Sequence, residues 1–570
     1  MTQTDNPSSE HNSSSLPSRL AWIALVLATL YICYFHNLAA IGLVGPDEPR
    51  YAWIARDMVE TGDWVTPRLY GQPWFEKPVL YYWGAALSFK LFGVNEAAAR
   101  FPSAVSALLA TLAVAWLARR FYGSETARWL LLLLPTTVGM IGFSHAAATD
   151  MPFSAMLTTA MVCAAVVLGL VRDEHTPVLP RTPWLALVLF GFCLGLAALA
   201  KGPAAIVLSG GAVLLWAILT KRWRDALRCL HPVGIASFCL TALPWYIACA
   251  RRNPDFLPVF IIEHNFKRYL TPEFQHIQPF WFYIPTILIA LFPWTILLIL
   301  ATRFSLETAR TRNSDFASVL FFICWVAFPL AFFTASNSKL PGYILPSVSP
   351  LALLLAAALA ANFHKADKAA RWLTVALGAG LVAFAIALSA FSGRLPRYTD
   401  LWPPPEVSSI QFTAALAGVA VAIFGLLRRV QMGLYAMILF MLLLVVGTDR
   451  LLIKLDPALT ARGAPMAASQ KWPQFSTKDA ATLELKRSLA YQLNFYTHSV
   501  LPEWKPDDPK PAWLFVEPKQ LQQVGTFGFE CPAYLVYPAV IPCQNTASVG
   551  GLGAFGPGRR EDSVRNGQSR

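Results

Sequence analysis

The chain reads as an all-α polytopic membrane protein with amphipathic juxtamembrane helices and a small carboxyl-terminal α/β domain outside the bilayer. Three observations predict this. Of 570 residues, 55% are hydrophobic and only 14% charged, with a mean hydropathy of +0.47, more apolar than a soluble domain needs. Thirteen apolar runs can be marked, at 19–40, 101–118, 128–144, 151–171, 184–200, 203–220, 233–250, 281–301, 316–335, 344–362, 372–392, 410–427 and 431–450. Each approaches the roughly 20 residues that a spanning helix requires. From about residue 454 the long runs stop and the sequence turns rich in Asp, Lys, Pro and Gln.

Basic residues collect at every second exit from these runs: Arg119, Arg120 and Arg128; Arg172 and Arg181; Lys221, Arg222, Arg224 and Arg228; Arg303, Arg310 and Arg312; Lys365, Lys368 and Arg371; Arg428 and Arg429. Short positive loops stay in the cytoplasm, so the amino terminus is expected inside and the carboxyl terminus outside. The Ser- and Asn-rich residues 1–17 lack a basic start and read as a disordered cytoplasmic tail, not a signal peptide. Residues 18–453 form the transmembrane domain, with outer loops at 43–100 and 251–280. A helix-like stretch near 477–491 and strand-like pieces at 513–516 and 534–537 mark a periplasmic domain over 454–546. Residues 547–570 read as a disordered tail. The net charge of +13 follows from inner loops that face anionic lipid and outer loops that can meet phosphate, so it is no nucleic-acid signal.

Of nine cysteines, Cys33, Cys163, Cys193, Cys239, Cys249 and Cys324 lie in apolar runs and Cys229 in an inner turn. Only Cys531 and Cys543 fall on the side expected to be oxidising, where a disulfide can persist.

The polar residues of the outer face carry the chemistry. In the first outer loop, Gly45-Pro-Asp-Glu-Pro-Arg-Tyr51 precedes an amphipathic helix in which Tyr51, Ile54, Ala55, Met58 and Val59 share one face until Gly62. Asp47 reads as its N-cap with Pro49 in the first turn, or as a reactive carboxylate. Glu48, Arg50 and Tyr51, then Glu76-Lys77-Pro78 opening a second amphipathic stretch, exceed what a cap needs.

Asp150, in Thr149-Asp-Met-Pro152, repeats the ambiguity between N-cap and acid. Lys201-Gly202-Pro203 is an ordinary helix stop, or a source of positive charge shared with Lys77, Arg268 and Lys339. The loop Ile262-Glu-His-Asn-Phe-Lys-Arg-Tyr269 offers Glu263 and His264 as ligands for a divalent metal with Glu76, Asp47 or Asp150, although their spacing is not diagnostic. The aromatic run Pro279-Phe-Trp-Phe-Tyr283 suits an interfacial belt or an isoprenoid guide.

Taken in order, Pro-Asp-Glu-Pro-Arg-Tyr, Phe-Glu-Lys-Pro, Thr-Asp-Met-Pro, Ala-Lys-Gly-Pro, Glu-His-Asn with Gln-Pro-Phe-Trp-Phe-Tyr, and Ser336-Asn-Ser-Lys-Leu-Pro-Gly-Tyr-Ile-Leu-Pro346 resemble bacterial lipid A aminoarabinose transferases. These belong to the protein O-mannosyltransferase superfamily with the GT-C membrane fold, and the likeness runs from about residue 20 to 360. The resemblance implies an inverting pentosyltransferase of the bacterial inner membrane. It would move 4-amino-4-deoxy-L-arabinose from undecaprenyl phosphate to lipid A at the periplasmic face, a change that confers polymyxin resistance.

Direct transfer needs an oriented acceptor, stabilisation of a positively charged sugar and neutralisation of the leaving phosphate. Asp47, Asp150 and Glu76 are the expected catalytic carboxylates. Arg50, Tyr51, Lys77, Lys201, Arg268, Lys339 and Tyr343 are expected to hold phosphate or sugar. A related transferase with another sugar or a hydroxyl acceptor is the alternative. A transporter fits less well, because its ionisable groups belong at mid-membrane. The expected partners are the lipid-linked donor, lipid A and membrane lipids, and the chain is expected to be a monomer.

Overall fold

The structure, a computed structural model, describes residues 16–170, 183–271, 277–311, 316–363, 368–392, 404–534 and 538–547. The chain divides into two compact units, Met1–Asp456 and Pro457–Arg570. Of the expected tails, residues 1–15 and 548–570 lie outside the described residues.

The first unit is helical. In chain order its helices are α1 (Leu16–Tyr34), α2 (Asp47–Thr61), α3 (Leu80–Phe92), α4 (Glu96–Leu133), α5 (Val138–Ser144), α6 (Asp150–Val167), α7 (Trp184–Lys201) and α8 (Ala204–Thr220). There follow α9 (Trp223–Ala226), α10 (Pro232–Arg252), α11 (Arg268–Leu270), α12 (Tyr283–Ala290), α13 (Leu298–Thr311), α14 (Phe316–Thr334) and α15 (Leu345–Phe363). The unit closes with α16 (Lys368–Ser392), α17 (Pro405–Leu426) and α18 (Val430–Leu459).

Among the described residues, nine helices are long and apolar enough to cross a bilayer, and a tenth span forms if the pair 283–290 and 294–311, bent by 105°, counts as one. The apolar helices at Arg19–Tyr34 and Ala204–Thr220 are shorter. The expected run 128–144 is divided: its first part continues α4 beyond the break at Gly123, where φ is 87°, and its second part is α5. Large apolar side chains such as Leu27, Leu240 and Leu416 stay exposed at 61%, 77% and 60%, as lipid-facing surface does.

Between spans, small residues bring backbones together. A Cβ on Gly191 would meet the Gly234 carbonyl at 2.1 Å, and one on Gly378 would meet that of Gly418 at 2.4 Å. These contacts seat α7 on α10 and α16 on α17.

The expected amphipathic helix is α2. Tyr51, Ile54, Ala55 and Met58 are buried, and Gly62 ends it in the left-handed conformation with φ 74°. Beyond it, β1 (Arg68–Leu69) and β2 (Gln72–Pro73) pair antiparallel and deliver Trp74–Lys77 to the start of α3.

One buried ion pair fixes this corner. Glu48 is 6% exposed and Arg100 of α4 is 2% exposed. Arg100 donates to Glu48 through Nε at 3.2 Å and Nη2 at 2.7 Å, and to the carbonyls of Leu38, Ile41 and Gly42 at 2.7–2.8 Å. Glu48 also accepts from the backbone N–H of Val44 and of Ala147, both at 2.7 Å.

The second unit carries a four-stranded sheet in the order β3-β4-β6-β5, where β3 is Ala480–Thr482, β4 Trp513–Val516, β5 Phe529–Glu530 and β6 Ile541–Asn545. β3 runs parallel to β4, and the other pairs are antiparallel. Helices α19 (Ala464–Lys471), α20 (Arg487–Thr497) and α21 (Leu521–Thr526) accompany it. The strand expected at 513–516 is β4, whereas most of the one expected at 534–537 lies outside the described residues.

The helix expected near 477–491 is corrected: Ala480–Thr482 is a fully buried strand, and the helix runs from Arg487 to Thr497. Pairing with β4 overrides the helical preference of an Ala-rich run. Cys531 and Cys543 are disulfide-bonded, with a sequence separation of 12.

Removing one member of a buried ion pair leaves the other charge uncompensated at a cost of about 3–5 kcal/mol. Arg100→Met is therefore expected to lower the unfolding temperature of the detergent-purified protein markedly. An unchanged temperature would mean that Glu48–Arg100 does not hold the corner together.

Candidate active site

Asp47 opens α2 but does not cap it, since no side-chain cap hydrogen bond is present at this helix start. The N-cap reading is corrected because a cation takes the carboxylate. Asp47 Oδ1 is engaged by Arg50 Nη2, one turn along the helix. Arg50 also donates through Nη1 to Glu76 at 3.1 Å and through Nε to the Pro46 carbonyl at 2.9 Å. Lys77 lies 3.4 Å from the other Glu76 oxygen. Two carboxylates and two cations thus interleave.

Exposure divides their roles: the Arg50 and Glu76 side chains are 7% and 13% exposed, whereas Asp47 is 52% exposed. Asp47 is the carboxylate a ligand can reach.

Aromatic rings floor this cluster. The Arg50 guanidinium sits 5.4 Å from the Trp74 ring centre and 5.9 Å from that of Tyr51. The Tyr51 ring meets the edge of Tyr82 at 5.7 Å. Burial alone would pull the guanidinium down, but Glu76, Tyr51 and Asp47 together raise it above its ordinary value. Burial, then Glu76, push the phenols of Tyr51 and Tyr82 well above theirs. Both phenols are protonated donors at neutral pH. The Tyr82 hydroxyl and the Trp74 indole N–H are buried with no hydrogen-bond partner among the described residues.

Asp150 forms a second cluster. It begins α6, again without capping it, and accepts from Lys201 Nζ at 2.6 Å. Lys201 is the last residue of α7, and Gly202 follows with φ 73°, so the residue both stops a helix and pairs with the acid. Its ammonium lies 5.2 Å from the Tyr343 ring centre and 5.4 Å from that of Phe153. Gly342 packs directly on the acid: a Cβ there would sit 2.1 Å from Asp150 Oδ1 and 2.9 Å from the Phe143 ring.

Two routes bring the clusters to one end of the helices. Glu48, beside Asp47, holds Ala147, three residues before Asp150. Phe75, beside Glu76, meets Phe256 at 5.2 Å, which stacks on Phe260 at 5.7 Å, and Phe260 covers Gly202 beside Lys201.

Lys339 is 7% exposed and donates to the Ser336 carbonyl of its own loop at 2.6 Å. That loop is tied to the segment after Arg268: Asn337 N–H reaches the Tyr269 carbonyl at 3.1 Å, and its Nδ2 reaches that of Leu270 at 2.7 Å. Arg268 itself begins α11, and its side chain lies outside the described residues.

The metal expectation is corrected in its geometry. Among the described residues no three His, Cys, Asp or Glu side chains gather as a ligand set, so Glu76, Glu263 and His264 do not converge. Glu76 turns instead to Arg50 and Lys77, and Glu263 is solvent-exposed.

Trp74, Tyr82, Arg100 and Gly342 carry no expected role in the sequence, and Glu48 is marked there only as exceeding what a cap needs. Trp74 immediately precedes the Phe-Glu-Lys-Pro motif, while Arg100 sits in the run Ala97-Ala-Ala-Arg-Phe101, which carries no signal of its role.

Residues 20–260 match the family of dolichyl-phosphate-mannose-protein mannosyltransferases. An undecaprenyl phosphate-alpha-4-amino-4-deoxy-L-arabinose arabinosyl transferase of Erwinia tasmaniensis is 32% identical over 397 residues, 69% of each chain. The chain belongs to this arabinosyltransferase family. The enzyme of the same name from Edwardsiella ictaluri is 35% identical over 332 residues, and the chain spans 58% of the length of that relative.

The fold is that of ArnT from Cupriavidus metallidurans, solved bound to undecaprenyl phosphate, with a TM-score of 0.74 and 22% identity over 93% of this chain and 99% of that one. Family membership and the apolar helices make the protein a multi-pass inner-membrane member of a family of lipid-linked-sugar glycosyltransferases.

A methyl at residue 342 must displace a carboxylate that Lys201 holds in place. Gly342→Ala is expected to cost about 1–3 kcal/mol in thermal unfolding, as overpacking does. The cost should shrink in an Asp150→Ala background, where the clashing atoms are gone. Equal cost in both backgrounds would show that Gly342 and Asp150 are not in contact.

Proposed function

We propose that this protein transfers 4-amino-4-deoxy-L-arabinose from undecaprenyl phosphate to a phosphate of lipid A at the periplasmic face of the inner membrane. The observation that carries the reading is the reachable Asp47 carboxylate, anchored by a buried Arg50 that also holds Glu76, whose other oxygen meets Lys77. The names of the relatives supply the donor and the sugar.

The charge order along the chain supports the orientation. The basic turns at 119–128, 221–228 and 428–429 alternate with the site residues, so the amino terminus lies inside and the site outside. The Cys531–Cys543 bond suits an oxidising compartment for the 454–546 domain.

In this reading an acceptor oxygen attacks the anomeric carbon from the face opposite the carrier. The bond from that carbon to the carrier phosphate breaks, and undecaprenyl phosphate leaves with the electron pair. A phosphate acceptor, with a second pKa near 6, arrives ionised, so Asp47 serves to orient it and to stabilise positive charge developing on the sugar. Lys77, Lys201 and Arg268 meet the departing phosphate charge, Lys339 stiffens its loop and Tyr343 closes over the Lys201 ammonium. Asp150 places that ammonium. The protonated Tyr51 and Tyr82 phenols and the Trp74 indole form the floor on which Arg50 rests.

Asp47→Asn keeps the shape of the side chain at an exposed helix start, so insertion and unfolding temperature should be unchanged. Transfer should fall by about 100-fold or more, the usual scale for losing such an electrostatic partner. The measurement is mass spectrometry of lipid A from cells lacking the gene and carrying either variant. Unmodified lipid A with wild type would refute the acceptor, and full modification with the Asn variant would return Asp47 to a structural role.

Lys77→Ala should weaken binding of undecaprenyl phosphate to the purified protein by about tenfold or more, the loss of one charge-assisted hydrogen bond. Unaltered binding would remove Lys77 from the phosphate site.

A further inference from the structure

A second feature runs along α7 and α8 toward the turn that follows α8. There α7 and α10 pack on one another at Gly191 and Gly234 while α8 stands off α10, and the three leave a cleft of about 460 Å³, within the roughly 300–1,000 Å³ of small-ligand sites. Its walls are apolar, with Phe190, Leu194, Val213 and Phe238 among them. The hydroxyl of Ser209, also in the lining, is turned back onto the Ala205 carbonyl of its own helix at 2.8 Å. The walls therefore suit hydrocarbon.

Along α8 the lining runs from Ile206 to Leu214, about 12 Å at 1.5 Å per residue, so the cleft is elongated along the helix axis. Gly210 contributes to its width, since a Cβ added there would meet nothing within 4 Å.

The cleft ends at the turn Lys221-Arg-Trp-Arg-Asp-Ala-Leu-Arg228, where Trp223 and Leu227 line it while 48% and 62% exposed. Four basic residues surround one carboxylate in this turn. Asp225 is shared by Arg222 at 2.6 Å and Arg228 at 3.2 Å, which leaves an excess of positive charge beside the apolar slot. An apolar slot that ends in excess positive charge is complementary to an acyl chain that ends in an anionic headgroup.

We propose that this cleft is a binding site for an anionic phospholipid, with one acyl chain along α8 and the headgroup phosphate on Lys221, Arg224 and Arg228. The competing occupant is the polyprenyl tail of a lipid carrier. A carrier bound for transfer would bring its phosphate to the Lys201 end of α8, opposite this turn, and the two occupants thus place their charges at opposite ends.

The test uses the full chain purified in mild detergent, with native mass spectrometry of bound lipid. The probes are phosphatidylglycerol, phosphatidylcholine and undecaprenyl phosphate. The wild-type protein should retain phosphatidylglycerol over phosphatidylcholine. Gly210→Leu, which fills the slot, should reduce that retention by about tenfold or more. Lys221→Gln with Arg224→Gln, on an exposed turn, should leave the fold intact and abolish the preference for the anionic lipid.

The double variant decides the matter if Gly210→Leu does not fold. Equal retention of both phospholipids by the wild-type protein would overturn the proposal, as would an unchanged preference in the double variant. Displacement of phosphatidylglycerol by undecaprenyl phosphate from wild type, with no binding of either to Gly210→Leu, would assign the slot to the carrier tail instead.

Discussion

The whole arrangement of the site depends on the buried pair between Glu48 and Arg100. An ion pair taken out of water stabilises a fold only when the remaining donors and acceptors are also satisfied. That condition is met here. All five N–H donors of Arg100 are used, on Glu48 and on the carbonyls of Leu38, Ile41 and Gly42. Glu48 adds the backbone N–H of Val44 and Ala147 to the guanidinium it accepts. Four separate stretches of chain, at 38–44, at the start of α2, at the start of α4 and before α6, meet at this pair. The positions of Asp47 and Asp150 both follow from it.

Adjacent residues therefore do opposite things. Glu48 points into the fold and is sealed there, whereas Asp47 is half-exposed and held by Arg50 alone among the described residues. Holding the Asp47 carboxylate through a neighbour that is itself locked by Glu76 and by the Pro46 carbonyl fixes its place before any ligand arrives. Preorganised charge of this kind need not reorganise as a transition state forms.

Much of this was legible in the sequence and some was not. The apolar runs were long enough to mark every major helix, and the period of Tyr51, Ile54, Ala55 and Met58 gave α2 with its Gly62 stop. The motifs located Asp47, Glu76, Lys77, Asp150 and Lys201, but not the pairs Arg50–Glu76 and Asp150–Lys201, because the two partners come from different elements. Asp150 looked like a cap for the same reason: sequence shows the helix start and not the Lys201 ammonium waiting beside it. Arg100 had no local signal, since its meaning lies 52 residues away in Glu48. Gly342 was quoted only as part of a loop, and its need to be glycine comes from the Asp150 carboxylate against it. At 480–482 an Ala-rich run favoured helix until pairing with β4 decided otherwise.

The charges of the site are balanced before any ligand binds. Asp47 and Glu76 face Arg50 and Lys77, and Asp150 faces Lys201. Unpaired charges at the edge of a low-dielectric region would be costly, and pairing at helix ends is how such groups persist beside a bilayer. The same balance bears on what the site accepts. Under the proposed function, an incoming phosphate would share or take over Lys77 and Lys201 from their carboxylates, so its binding would be an exchange of partners and not the filling of a positive hole. Exchange favours a ligand whose anion and cationic or hydrogen-bonding parts lie at a fixed distance, since only such a ligand can satisfy both the freed carboxylate and the captured cation. A lone inorganic phosphate would satisfy one and leave the other stranded, so under the proposed function the paired resting state would act as a filter for a complete sugar-bearing substrate.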